Sequence, residues 1–303
     1  MNVFDHQYLI IGGTPKAGTT SLYKWLSDHP DVCASSMKET RFFLDLDYPL
    51  PCSTQYNGKN LEQYGVFFKQ CEKNKNKLRL DATPDYLYSR TALKIAELLP
   101  HSKIIFILRD PIERMISWFK YAKQEGMISK EMNFEQYVML QVGKPIDANL
   151  PIFLRALEQC KFDKYLQEFY KAFQNRCLII NFNELKNNPR KVMTQLCAFS
   201  NLEDKFYDSY LFKAENVSQA VNNTSIIRFY SLLRQILIHT LHQYPSIFEL
   251  MKKPNQLLKQ ILFRHSKQAE ELTISLNIEE IIRHEVRQYA LEENTRSYPN
   301  KIT

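Results

Sequence analysis

The sequence predicts an α/β chain: a central parallel sheet flanked by helices, followed by a mostly helical C-terminal third. Two observations carry this expectation. Short apolar runs alternate with amphipathic segments as far as about residue 200, which is how a parallel sheet covered on both faces reads. Beyond about Leu211 the strand signals stop and helical spacing takes over.

Tyr8-Leu-Ile-Ile11 is a short apolar run ending at Gly12-Gly13, the pattern of a buried strand. Thr19 to Ser27 reads as a helix, with Leu22, Trp25 and Leu26 at helical spacing and His29-Pro30 ending it. Asn60 to Cys71 reads as a second helix, followed by a lysine-rich turn from Glu72 to Lys77. Leu78-Arg-Leu80 is a strand, and Ser89 to Leu99 is a helix stopped by Pro100. Lys103-Ile-Ile-Phe-Ile-Leu108 carries the strongest strand signal. An amphipathic helix follows Pro111, because proline suits a first helical turn. Cys177-Leu-Ile-Ile180 is a fourth strand, and Pro189 to Phe199 is a helix. In the C-terminal third, Ile226 to Leu241 and Asn277 to Leu291 are the clearest helices. The 303 residues read as one domain, with an α/β core over about 7–200 and a helical extension over about 211–303.

With 44% hydrophobic and 24% charged residues, the composition excludes a disordered or fibrous chain. A net charge of +7 suits an anionic ligand, but the cations are too dispersed for a nucleic-acid binder. The six cysteines, Cys33, Cys52, Cys71, Cys160, Cys177 and Cys197, show no CxxC pair and no short metal spacing. They read as free thiols in a reducing compartment, so the chain is expected to be cytoplasmic. His239 and His242 share a helix without a third ligand nearby, so no metal is expected. No run of about 20 apolar residues predicts stable membrane insertion. The amphipathic stretch Leu232 to Met251 is expected to pack on the sheet or on a second copy in a homodimer.

Only 7 glycines occur in the chain, and three of them bracket one loop. Gly12-Gly-Thr-Pro-Lys-Ala-Gly-Thr-Thr-Ser21 lies between the first strand and the first helix. Such a loop cradles an anion: glycines let backbone N–H groups approach a phosphate, and the helix start adds the positive end of its dipole. Lys16 supplies a charge, and Thr19, Thr20 and Ser21 supply hydroxyls. Gly13 and Gly18 have Walker A spacing, but that motif places Lys and then Ser/Thr directly after the second glycine. Here Thr19-Thr20 follow and Lys16 precedes, which opposes a nucleotide kinase.

The segment Thr14-Pro-Lys-Ala-Gly-Thr-Thr-Ser21 resembles the 5′-phosphosulfate loop of sulfotransferases that use PAPS (3′-phosphoadenosine 5′-phosphosulfate). The resemblance implies a P-loop-like sulfotransferase fold. It implies a nucleotide site built from Thr14, Pro15, Lys16, Ala17, Gly18, Thr19, Thr20 and Ser21, with Lys16 at the bridging oxygen. Ile104-Ile-Phe-Ile-Leu-Arg-Asp-Pro-Ile-Glu-Arg-Met-Ile-Ser-Trp-Phe119 resembles the family's 3′-phosphate motif, which assigns Arg109 and Ser117 to that phosphate. Arginine at a strand's carboxyl end suits bidentate phosphate contact. Arg114 is expected to orient Asp110 or the loop. Arg228 is the substitute for a Lys/Arg-Gly loop that this chain lacks.

Met37-Lys-Glu-Thr-Arg-Phe-Phe43 resembles the Lys-Glu-x-x-Phe-Phe segment of the heparan sulfate-type branch and its soluble bacterial relatives. Leu80-Asp-Ala-Thr-Pro-Asp-Tyr-Leu87 resembles their Glu-Lys-Ser-Pro-x-Tyr-Leu segment, with Asp81 and Ala82 replacing Glu and Lys. The implied acceptor contacts are Phe42, Phe43, Asp81 and Tyr86. The first of these segments nominates Glu39 as the base. A small-molecule branch uses a histidine on a later strand or loop, where this chain offers Asp81 and Asp85. His101, at the start of a strand, lies at the wrong edge of the sheet. The implied reaction moves a sulfonate from PAPS to a hydroxyl or amine, releasing adenosine 3′,5′-bisphosphate without a metal. The expected acceptor is a small natural product, glycolipid precursor or glycan-like molecule. The alternatives are a nucleotide kinase or a non-catalytic nucleotide-binding protein of the same fold.

Overall fold

The structure, a computed structural model, describes residues 3, 6–50, 52, 54–74, 77–144, 150–215, 272, 274–287 and 301–302. Its centre is a parallel sheet in the order β2-β3-β1-β4-β5-β6. The strands are β1 (Tyr8–Gly13), β2 (Val32–Ala34), β3 (Leu78–Ala82), β4 (Ser102–Leu108), β5 (Cys177–Asn181) and β6 (Lys301–Ile302). The expected strands therefore form. The run at Cys177 is the fifth strand rather than the fourth, because the three-residue β2 pairs on β3 at the edge.

Period-two alternation divides the strand residues between two hydrophobic layers. Tyr8, Ile10, Ile104, Phe106 and Ile179 face one layer, with Tyr64, Phe67, Phe68, Phe169 and Phe173. Leu9, Ile11, Leu80, Ile105, Ile107 and Ile180 face the other, with Leu22, Leu26, Val192 and Leu196. Helices α1 (Thr19–Ser27) and α8 (Pro189–Ser200) cover this second face, and α6 (Phe162–Phe173) covers the first. The sequence of helices between α1 and α8 is α2 (Arg90–Leu93), α3 (Ile95–Leu98), α4 (Pro111–Gln124), α5 (Phe134–Met139), α6 and α7 (Phe182–Asn187). A third cluster joins α4 and α5 to Ile278 and Ile282 of α9 (Leu276–Arg287).

Two local expectations change. The segment expected to be a helix over Asn60 to Cys71 is a 3₁₀ stretch, Leu61–Asn74, with non-helical φ/ψ at Phe68. There the buried Phe68 ring meets Tyr8 at 5.5 Å between centroids. The cysteines are not all free thiols: Cys33 of β2 and Cys71 of the 3₁₀ stretch form a disulfide, with Cα atoms 5.8 Å apart. Sequence spacing hid the pair, because 38 residues separate two elements that meet only in the fold. This pairing withdraws the thiol argument for a cytoplasmic chain. Cys52, Cys160, Cys177 and Cys197 take no part in a disulfide.

The helix expected over Ile226 to Leu241, the stretch Leu232 to Met251, Arg228, His239 and His242 lie outside the described residues. Among the described residues, no helix is long and apolar enough to cross a membrane.

Candidate functional site

The loop after β1 lies at the carboxyl edge of the sheet, where open α/β sheets bind ligands. Gly18 precedes α1 with φ +81, a conformation that favours glycine. A Cβ there would also come within 3.2 Å of the Phe182 ring. No side chain caps α1 among the described residues, so its first-turn amides are oriented for an anion. Thr14 is fully buried and ties the loop to β4: both its N and its Oγ1 donate to the Ile107 carbonyl, at 3.0 and 2.9 Å. Pro15 and Ala17 are buried as well. Lys16, Gly18 and Thr20 are the half-exposed members and form the face open to a ligand. Ser21 is buried, and its Oγ accepts from Glu215 N at 2.9 Å.

Lys16 has φ 71, and its Nζ lies 4.1 Å from the centre of the Tyr121 ring on α4. Its carbonyl accepts from Arg109 Nη1 at 3.2 Å. Arg109 leaves the end of β4, pairs with Glu113 at 3.1 Å and lies 4.4 Å over the Phe182 ring. The strand end and the anion loop are therefore linked through one guanidinium. Ser117 lies two turns along α4 and is half-buried.

Arg114 is fully buried, and its side chain serves the loop rather than Asp110. Its Nε donates to the Pro15 carbonyl at 3.1 Å and its Nη1 to the Ala156 carbonyl at 2.9 Å. Nη1 also donates to Cys160 Sγ at 3.3 Å, and Nη2 to Gln159 Oε1 at 3.1 Å. Asp110 instead caps α4, accepting from Ile112 N and Glu113 N. Arg114→Met should destabilise the chain by about 3 kcal/mol, because buried carbonyls lose their donor. Denaturant unfolding tests this, and a change under about 1 kcal/mol would show that those carbonyls find other donors.

Glu39 sits in the segment that leaves β2 and turns back over the edge of the sheet. Its Oε1 accepts from Lys38 Nζ at 3.3 Å and its Oε2 from Arg41 Nη2 at 3.2 Å. Burial acts to raise its pKa, but the two cations outweigh it and hold the carboxyl at about 2. The segment is stitched to the 81–86 turn by Ala82 N to Lys38 O at 3.1 Å, Arg41 N to Thr83 Oγ1 at 3.1 Å and Phe43 N to Tyr86 OH at 3.3 Å.

The four expected acceptor contacts are corrected here. Phe42, Phe43, Asp81 and Tyr86 are all 0% exposed. The phenylalanines pack edge to face at 4.9 Å and meet Tyr64. Asp81 accepts from Thr40 Oγ1 at 2.8 Å and from the Tyr64 and Tyr86 hydroxyls at 3.1 Å each. Burial pushes its carboxyl up to about 6 against those hydrogen bonds. These residues are the floor beneath the Glu39 segment. His101 is exposed just before β4, at the amino end of the strand.

The structure is thus of the α/β class with a glycine loop, a helix start and a strand-end arginine gathered at the carboxyl edge of a parallel sheet. A family model for the sulfotransferase domain matches residues 6–231, and the chain belongs to that family. Bifunctional heparan sulfate N-deacetylase/N-sulfotransferase 4 of Mus musculus is 28% identical over 204 residues, covering 64% of this chain and 22% of that protein. Membrane-associated sulfotransferase kil1 of Dictyostelium discoideum is 34% identical over 117 residues, covering 38% of this chain and 23% of that protein. This chain thus spans less than a quarter of either relative. Among solved structures, a sulfotransferase from Alicyclobacillus acidocaldarius superposes with a TM-score of 0.58 at 18% identity, covering 77% of this chain and 95% of that one. That likeness concerns the fold.

Proposed function

We propose that the chain transfers a sulfonate from PAPS to a hydroxyl or amine of a small-molecule, glycan or glycolipid acceptor. The observation that carries this reading is the Arg109–Lys16 link, which brings the two phosphate motifs to one edge of the sheet. The donor set fits the nucleotide: half-exposed Lys16, Gly18 and Thr20 on the loop, with Arg109 and Ser117 beside them. Lys16 is assigned to the leaving oxygen, and Glu39 to the acceptor side of the site as its rim carboxylate. When bound, PAPS supplies the activated sulfonate. Positioning and fixed charges do most of the remaining work in such transfers. Protein cations and amides take the place that magnesium holds in nucleotide kinases, and the lysine such kinases carry after the second glycine is Thr19 here. Relatives named for N-sulfotransferase activity support an amine among the acceptors.

The test is calorimetry with adenosine 3′,5′-bisphosphate in the absence of metal. Tight binding is expected, with Arg109→Ala weaker by about 2–3 kcal/mol. Equal affinity for 5′-AMP would remove the 3′-phosphate assignment. Thermal stabilisation by ATP with magnesium, and none by adenosine 3′,5′-bisphosphate, would favour the kinase reading.

A further inference from the structure

We propose, resting on the sulfotransferase reading above, that Asp85 is a second carboxylate of the acceptor site and the group that receives the acceptor's proton. Asp85 follows Pro84, whose carbonyl oxygen would lie 3.1 Å from a Cβ placed on Gly13. The turn bearing Asp85 therefore abuts the start of the anion loop. The same turn is stitched to the Glu39 segment through Thr83 and Tyr86. Asp85 thus stands between the loop that carries Lys16 and the segment that carries Glu39.

A line of side chains fixes its orientation. Tyr48 OH donates to Asp85 Oδ1 at 2.7 Å, and Gln159 Nε2 donates to Tyr48 OH at 3.3 Å. Gln159 Oε1 accepts from Arg114 Nη2, and Arg114 Nε donates to the Pro15 carbonyl, one residue before Lys16. Among the described residues no hydrogen bond reaches Asp85 Oδ2, which leaves that oxygen for a proton. Asp85 is 7% exposed, so water does not compete freely for it.

The charges around Asp85 divide the labour between two carboxylates. Burial raises its carboxyl to about 6; the Glu39 charge adds to the rise, while the Tyr48 hydrogen bond, Arg41 and Arg114 oppose it. Tyr88 also senses the Asp85 charge, and Arg155 acts on Tyr48. Glu39, held at about 2, is a fixed negative charge suited to orienting an acceptor. Asp85 is matched to accepting a proton near neutral pH. In the transfer, an acceptor lone pair forms the new bond to sulfur. The bond from sulfur to the bridging oxygen breaks, and its electron pair leaves on the 5′-phosphate. The acceptor's proton goes to Asp85 Oδ2.

The experiment measures sulfate release from labelled PAPS, with water as acceptor, from pH 5 to pH 8. The wild type, Asp85→Asn and Tyr48→Phe are compared, and each is titrated with adenosine 3′,5′-bisphosphate. The wild type should lose activity below about pH 6. Asp85→Asn should lower turnover at least about tenfold and lack that acid limb, with nucleotide affinity unchanged. Tyr48→Phe should move the limb to higher pH, because the carboxylate loses a donor. An unmoved limb in Tyr48→Phe, or a wild-type profile in Asp85→Asn, overturns the proposal. Failure of the wild type to bind the bisphosphate overturns the sulfotransferase reading instead; if water is not sulfonated, the same profiles are read with an acceptor found by screening with labelled PAPS.

Discussion

Lys16→Ala should lower turnover about 10²- to 10³-fold, the range for losing one donor to a developing oxyanion, with a smaller effect on nucleotide affinity. Lys16 is held from three sides. Arg114 fixes the preceding carbonyl at Pro15, Arg109 fixes the Lys16 carbonyl, and the Tyr121 ring lies under the ammonium at 4.1 Å. A non-glycine residue at φ 71 is locally unfavourable. These contacts keep it there and aim the side chain away from the buried Thr14 and Ala17. Alanine leaves the Lys16 carbonyl and the amides at the start of α1 in place, so ground-state binding of the nucleotide largely survives. On the proposed assignment, what is lost is the positive charge that would meet the bridging oxygen, where negative charge would grow only as the bond to sulfur breaks. Single-turnover measurement with labelled PAPS separates the two effects. Turnover near the wild-type rate would remove Lys16 from the mechanism.

The glycine loop and the strand end beside it were legible as elements because their signals are local. An apolar run, a glycine loop and a helix start occupy consecutive residues, and β4 with its Arg109-Asp110-Pro111 end is equally contiguous. The acceptor half was not legible in the same way. Paired aromatics such as Phe42 and Phe43 have the same sequence pattern in a pocket wall and in a core. Only their full burial against Tyr64 decides between the two. Asp81 reads as a candidate contact until three hydroxyls from two other segments and its own turn are seen to close over it. The line from Asp85 to the loop joins Tyr48, Gln159 and Arg114, which come from separate segments and share no periodicity. Strand β2 has no sequence signal because three residues are too few to show alternation, and the disulfide partner of its Cys33, Cys71, is 38 residues away.

Glu39→Gln should lower turnover with the true acceptor by about 10²-fold or more, while adenosine 3′,5′-bisphosphate still binds. Glutamine keeps the shape and one acceptor oxygen but removes the charge that balances Lys38 and Arg41. A third of the Glu39 side chain is exposed, so an acceptor can reach it from the rim. Because those cations hold its carboxyl at about 2, Glu39 stays ionised throughout the neutral range. Its loss should therefore lower turnover from pH 5 to pH 8 and move the acid limb to lower pH, because Asp85 no longer feels the Glu39 charge. Stability gives an independent check. A folded pKa below the ordinary 4.5 means that Glu39 stabilises the fold above that pH, and the contribution fades as pH falls towards 2. Glu39→Gln should accordingly show a shallower decline in melting temperature over that acid range. Activity retained in Glu39→Gln would remove Glu39 from the acceptor site, and activity lost in Asp81→Asn or His101→Ala but kept in Asp85→Asn would place the base away from Asp85. An amine acceptor that gives up its proton readily would blunt the turnover effect but not the stability effect, and that difference separates the acceptor's chemistry from the role of Glu39.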